Sequence, residues 1–289
     1  MRGAIIGDIC GSIYEFNNRK TDKPETIGLE NPFCFYTDDT VLTCAVAEAV
    51  FSSEGISANP DYETAILKWA RNYSREGYGL NFRSWFMSPK PEPYGSYGNG
   101  SAMRVSPIGW AFDTLEETRA EAARSAACTH NHVEGIKGAE ATAAAIFLAR
   151  SGKTKDEIKA YSTHEFGYDL NRSLAEIRPG YTFDVSCQGS VPQAIIAFLE
   201  SRDFTHAIQC AISIGGDSDT IAAITGGIAE AFYGYDKIPK SLLEFAESKM
   251  NGDMQAALCP VYDLLFHRHI DPLLQKLKDR IEERKGERK

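Results

Sequence analysis

The chain has 289 residues, of which 43% are hydrophobic, 11% aromatic and 25% charged, a composition that supports a large buried core and excludes disorder as its dominant state. Acidic residues outnumber basic ones 40 to 31, a formal charge of −9, which is the wrong sign for general nucleic-acid binding but leaves room for an anionic small molecule held by local donors. The longest apolar-rich stretches, such as Ala141–Ala149, fall well short of the roughly 18 uninterrupted residues that a bilayer span requires, so no membrane partner is expected.

The first notable element is Gly7-Asp8-Ile9-Cys10-Gly11-Ser12-Ile13-Tyr14-Glu15; glycines four apart on a helix permit close packing, and Glu15 is a candidate metal ligand. Thr37-Asp38-Asp39-Thr40 follows. Apolar residues at three-and-four spacing then predict helices over Thr40–Phe51, Asp61–Tyr73, Leu115–Ala127, Val133–Arg150, Val191–Glu200, Phe204–Ile214, Thr220–Tyr233 and Pro239–Met250. Between the second and third lies Ser88–Gly100, thirteen residues with three prolines and three glycines, which forbid a helix; its glycine-rich, aromatic second half suits a ligand wall. Ser151-Gly152-Lys153-Thr154 mimics the end of a phosphate-binding loop, but Phe147 stands where the upstream glycine is required, so it reads as a helix C-cap. Gly215-Gly216-Asp217-Ser218-Asp219-Thr220 precedes the seventh helix, and Lys276 to Lys289, alternating basic and acidic residues, reads as a solvated last helix and frayed tail. Strand patterns are scarce and no long repeat or linker appears, so one all-α domain over residues 1–289 is expected. Cys10, Cys34, Cys44, Cys128, Cys187, Cys210 and Cys259 include no C-x-x-C, which argues against a zinc ribbon or thioredoxin-type site. Free thiols and the lack of a secretory core at the N-terminus point to the cytoplasm.

The chemistry is expected where the two Asp/Thr clusters lie. Each could simply cap a helix, supplying oxygens to orphan amides and favouring the dipole. A cap needs one acceptor, however, and each cluster carries two carboxylates and two hydroxyls. If the clusters converge, four carboxylates share one small site, and two such charges at 4 Å repel by about 4 kcal/mol at an effective dielectric near 20. Divalent cations are the usual remedy, and all-oxygen ligands without His or Cys specify magnesium or manganese. Two ions could hold a water and a substrate hydroxyl together.

The strings G-D-x-x-G-S-x-Y-E, Y-T-D-D-T, S-Y-G-N-G-S-A-M-R-V and G-G-D-S-D-T-I-A, in that order over roughly Met1 to Tyr235, resemble the ADP-ribosylglycohydrolase family. Within it, Ser96–Val105 looks more like the branch acting on ADP-ribosyl-serine than the arginine-specific branch. The resemblance implies a single all-α orthogonal multi-helix bundle with a binuclear magnesium or manganese centre in a cleft. By position it implies Thr37, Asp38, Asp39, Asp217, Asp219 and Thr220 as metal ligands, with Asp38 and Asp219 facing the reaction. Glu15 matches a mobile glutamate implicated in catalysis. Gly95, Ser96, Tyr97, Gly98 and Asn99 match a loop that cradles the diphosphate of ADP-ribose, and His130 matches a histidine on the ribose side. Glycine-rich amides can bind phosphate without a basic surface; for Tyr97 a packing role is an equally available reading of the residue itself, and His130 by itself reads as a core or surface histidine that only the resemblance raises. The implied activity is hydrolysis of the anomeric bond of ADP-ribosylated proteins or small conjugates, by a monomer; nucleic acid enters only as a possible ADP-ribosylated substrate. Two alternatives stay open: a relative that binds ADP-ribose without turnover, and a two-metal hydrolase acting on another nucleotide conjugate.

Overall fold

A computed structural model describes residues 1–52 and 55–260. In chain order these form α1 (Arg2–Gly11), α2 (Asp38–Val50), a two-residue hairpin of β1 (Phe51–Ser52) and β2 (Gly55–Ile56), α3 (Tyr62–Asn72) and α4 (Leu80–Met87). The loop that follows leads into the short α5 (Gly100–Met103) and α6 (Ser106–Ala111), then α7 (Leu115–Ala127), α8 (Val133–Arg150), α9 (Lys155–Phe166) and α10 (Leu174–Ile177). α11 (Cys187–Glu200), α12 (Phe204–Ile212), α13 (Ser218–Tyr233) and α14 (Lys240–Lys249) complete the set, and a further helical run occupies residues 252–260. The hairpin pairs Phe51 with Ile56 in antiparallel register. The tail assigned to Lys276–Lys289 lies outside the described residues.

Each of the eight predicted helices is present, with ends set by capping residues. Thr37 caps α2 by accepting from Asp39 N at 3.3 Å, so the helix begins at Asp38 and both aspartates of the first cluster sit in its first turn. Ser186 caps α11 by accepting from Gly189 N at 3.1 Å, starting that helix four residues before Val191. Ser151 ends α8, and Thr154 opens α9 in a reciprocal box with Glu157; the Ser-Gly-Lys-Thr string is thus a junction between helices. α1 and α9 escape the periodicity for opposite reasons. Gly3 to Gly11 are all buried, leaving α1 no polar face, whereas α9 buries little beyond Ile158, Ser162 and Phe166.

α13 runs through the centre, buried from Ser218 to Ala231, and packs on α1, α8, α11 and α12. Its contact with α1 is backbone on backbone. A Cβ added at Gly3 would sit 2.2 Å from Gly226 O, at Gly7 2.0 Å from Ala222 O, and at Gly11 2.5 Å from Asp219 Cα. Glu230 fastens the N-terminal end of this seam, accepting from Gly3 N at 2.8 Å and from the Met1 amine. α1 therefore enters at a depth that no side chain on that face would allow.

Gly7→Ala tests the seam. An alanine in a helix interior is ordinarily favoured over glycine by roughly 0.5–1 kcal/mol; here overpacking should reverse the sign and cost about 1–3 kcal/mol. Equilibrium denaturation should show that loss, while Gly28→Ala, where an added Cβ meets nothing within 4 Å, should leave the midpoint near its original value.

Candidate active site

The two acidic clusters converge. Asp38, Asp39, Asp217, Asp219 and Thr220 line one end of a cleft of about 620 Å³ together with Glu15. One carboxylate oxygen from each of Glu15, Asp217 and Asp219 lies within 4.8 Å of the others. Thr220 Oγ1 donates to Asp39 Oδ2 at 3.3 Å, and Asp39 Oδ1 is buried with no hydrogen-bond partner among the described residues. A buried, unpartnered carboxylate oxygen beside further carboxylates is an arrangement that a cation completes. With oxygen donors alone, the set fits a hard divalent metal.

The turn that delivers the second cluster depends on Gly215 and Gly216, at φ +79° and +69°. A Cβ on Gly216 would meet the Tyr181 ring at 2.6 Å. Gly216 N donates to Asn18 Oδ1 at 3.1 Å, which ties this turn to the segment that carries Glu15.

The first cluster is held by a residue to which sequence reasoning gave no role, Asp8. Fully buried on α1, its carboxylate accepts from Thr37 N at 3.0 Å, Thr37 Oγ1 at 2.7 Å, Thr40 N at 3.1 Å and Thr40 Oγ1. It answers orphan amides at the start of α2 and polarises the Thr37 hydroxyl. Thr37 is not among the residues lining the cleft; its hydroxyl donates to Asp8 and accepts from the amide of Asp39, which leaves one lone pair of the oxygen for a cation. The available signal was an aspartate in an otherwise apolar, glycine-rich helix.

Burial is the largest cause raising every carboxyl in the cleft, and like charges add to it. Glu15 is pushed up to about 8 by desolvation and then by Asp219 and Asp8. Asp217 rises to about 6 through burial, opposed by hydrogen bonds from its neighbours. Asp38, Asp39 and Asp219 are all held well above the ordinary carboxylate range.

The other end of the cleft is formed by the loop before α5 and by His130. Ser96, Gly98, Asn99 and His130 line it; Gly95 and Tyr97 do not. Several loop amides already have protein partners. Gly95 N donates to Asn131 Oδ1 at 2.6 Å, Gly98 N to Ser96 Oγ at 3.1 Å, and Asn99 N to Val185 O at 2.7 Å. The Asn99 side chain reaches the acidic end, donating to Asp217 Oδ2 at 2.6 Å and to Ser190 Oγ at 2.9 Å. It therefore joins the two halves of the cleft. Tyr97 stands outside, 54% exposed, its ring edge-on to His132 at 5.5 Å. His130 is buried, with Nδ1 2.6 Å from Thr129 Oγ1; desolvation and then the nearby Arg104 charge hold it well below its ordinary value.

A helical fold with a carboxylate cluster facing a glycine-rich loop across one cleft defines a class of proteins in which a group of acids able to hold a cation shares a cleft with a polar ligand wall. The chain belongs to the ADP-ribosylglycohydrolase family, whose model matches residues 1–272. It is 28% identical to the ADP-ribosylhydrolase ARH3 of Homo sapiens, across 89% of this chain and 90% of that protein. It is 25% identical to the ADP-ribosylarginine hydrolase Tri1 of Pseudomonas putida (strain GB-1), across 96% of this chain and 76% of that one. A solved structure described as an ADP-ribosylglycohydrolase-related protein complex superposes with a TM-score of 0.69 at 26% identity, covering 91% of this chain and 95% of that one.

The raised carboxyls carry a consequence for stability. Asp217 and Glu15 bind protons more tightly in the folded protein, at about 6 and about 8, than at their ordinary 3.8 and 4.5. Stabilisation from such groups is complete below the ordinary values and is lost as pH rises through the folded ones. Melting temperature in chelator should therefore fall as pH rises from about 4 towards about 8. Magnesium or manganese, which favours the ionised carboxylates, should flatten that slope. Parallel melting curves with and without the ion check both halves.

Proposed function

We propose that this protein is a metal-dependent hydrolase that cleaves the glycosidic bond between ADP-ribose and its attachment atom on proteins or small conjugates. The observation that carries the reading is the convergence of Glu15, Asp217 and Asp219, with ligand atoms within 4.8 Å, in the same cleft as the glycine-rich loop. Family membership and relatives named as ADP-ribosylhydrolases support the substrate class. In this reading Thr37, Asp38, Asp39, Asp217, Asp219 and Thr220 hold two divalent cations, magnesium or manganese. Cations held there would supply Lewis acidity to a substrate oxygen or water.

The remaining work falls to the chain's own groups. Ser96, Gly98 and Asn99 seat the diphosphate, with His130 beside them; Gly95 and Tyr97, which lie outside the cleft lining, serve by shaping the loop. Because the amides of Gly95, Gly98 and Asn99 are engaged within the protein, the Ser96 hydroxyl and the remaining loop amides are the groups assigned to direct contact. Asp38 and Asp219 face the reacting ribose. Positive charge develops at its anomeric carbon as the bond breaks, and carboxylates on that side stabilise it. Glu15, at the acidic end of the cleft and outside both Asp clusters, is the group assigned to carry a proton in the reaction. The described residues share one hydrophobic core from Met1 to Leu258, which supports reading the chain as one domain; we place it in the cytoplasm as a monomer.

The direct test is a panel of ADP-ribosylated substrates, with serine, arginine, acetyl-ester, poly-ADP-ribose and nucleic-acid linkages, each assayed with magnesium or manganese. Free ADP-ribose should be released with metal, and release should stop in excess chelator. Cleavage at the diphosphate, tight binding without turnover, or full activity in chelator would overturn the reading. Glu15→Gln separates catalysis from packing. Loss of one general acid or base costs about 10²–10⁴ in rate, so single-turnover release should fall by that order while ADP-ribose affinity and melting temperature change little.

A further inference from the structure

Arg104 is the largest fully buried side chain among the described residues, and none of their carboxylates pairs with it. Its Nη2 donates to Ser125 O at 2.9 Å and to Thr129 Oγ1 at 3.1 Å, while Nε and Nη1 have no partner among the described residues. It lines the same cleft as the loop and His130. An arginine has only donors, so Thr129 Oγ1 must accept from it. The same oxygen lies 2.6 Å from His130 Nδ1. Thr129 is fully buried, and among the described residues the ring nitrogen is the acceptor available to the hydroxyl hydrogen. If Nδ1 carried a proton, that hydrogen would be buried without a partner, an arrangement native proteins avoid. The hydroxyl therefore donates to Nδ1, and the ring proton resides on Nε2.

Nε2 faces the glycine loop. A Cβ at Gly100 would stand 3.2 Å from it and one at Gly98 3.5 Å, so the absence of side chains there leaves this edge of the ring clear. Among the described residues no hydrogen bond engages Nε2. We propose that Arg104, acting through Thr129, fixes His130 as its Nε2–H tautomer and thereby makes it a hydrogen-bond donor to the anionic ligand on the 95–100 loop. Arg104 and Thr129 are positioning residues. Burial and the Arg104 charge keep the ring neutral at pH 7, and the uncompensated guanidinium adds attraction for an anion at this end of the cleft.

The ligand half of this inference rests on the ADP-ribose reading above, whereas the tautomer half is read without any ligand. Thr129→Val keeps the shape and removes the hydroxyl; Thr129→Ser retains it. Long-range ¹H–¹⁵N correlation spectra of the full chain, with His130 assigned by its loss in His130→Ala, should show protonated Nε2 and unprotonated Nδ1 in the wild type and Thr129→Ser. Thr129→Val should give a mixture or the opposite tautomer. ADP-ribose affinity by calorimetry should fall roughly 10- to 100-fold in Thr129→Val, the scale of losing a hydrogen bond to a charged group, and recover in Thr129→Ser. In a His130→Ala background, Thr129→Val should cause no further loss. A protonated Nδ1 in the wild type, or unchanged tautomer and affinity in Thr129→Val, would overturn the inference. A wild type that binds no ADP-ribose would overturn the functional reading and the ligand half, with the spectra still deciding the tautomer.

Discussion

The site depends on the direct backbone contact between α1 and α13. Gly3, Gly7 and Gly11 let α1 approach so closely that any side chain on that face would overlap the backbone of α13. The last contact of the seam falls on Asp219 itself, and Ser218 Oγ donates to Gly11 O at 3.1 Å. Asp8 stands between the last two of these glycines and turns to α2, where Thr37 and Thr40 donate to it. α1 therefore seats one acidic cluster on one side and the other cluster on the other. A displacement of this helix by the width of a methyl group would separate the carboxylates that the cleft assembles.

Such an assembly opposes folding. Five carboxylates line one end of the cleft, and burial and mutual repulsion push each of them towards its neutral form. Close packing elsewhere sustains this: α13 is buried along nearly its whole length, and the alanine-rich α8 lies against it. The negative net charge of the chain is likewise no obstacle to an anionic ligand. The loop end of the cleft has backbone amides and a buried guanidinium that no carboxylate among the described residues pairs with, and cations at the other end would reverse the local sign.

Asn99 joins the two ends. Its backbone belongs to the loop, pinned to Val185 O at 2.7 Å, and its side-chain amide reaches Asp217. A ligand that shifts the loop would thus be felt at a carboxylate of the acidic cluster through a single residue.

Features that depend on near neighbours were legible in the sequence. The all-helical class followed from apolar spacing, the irregular Ser88–Gly100 stretch from its prolines and glycines, and the placement of both Asp/Thr clusters at helix starts from the grammar of capping, which acts over three or four residues. Four motifs in order also carried the family. What lay beyond reach was which groups meet. Asp8 showed only as an aspartate in an apolar helix; its partners Thr37 and Thr40 come from α2. Asn99 reads as part of a glycine-rich loop, yet its amide is committed to Asp217, 118 residues away. The proton position on His130 follows from Arg104, 25 residues before Thr129. Local propensity decides which residues cap, turn or coil, because those energies depend on adjacent backbone. Which carboxylates share a cleft, and which donor meets which acceptor, is decided by the packing of helices far apart in sequence, and here by how closely two of them can approach.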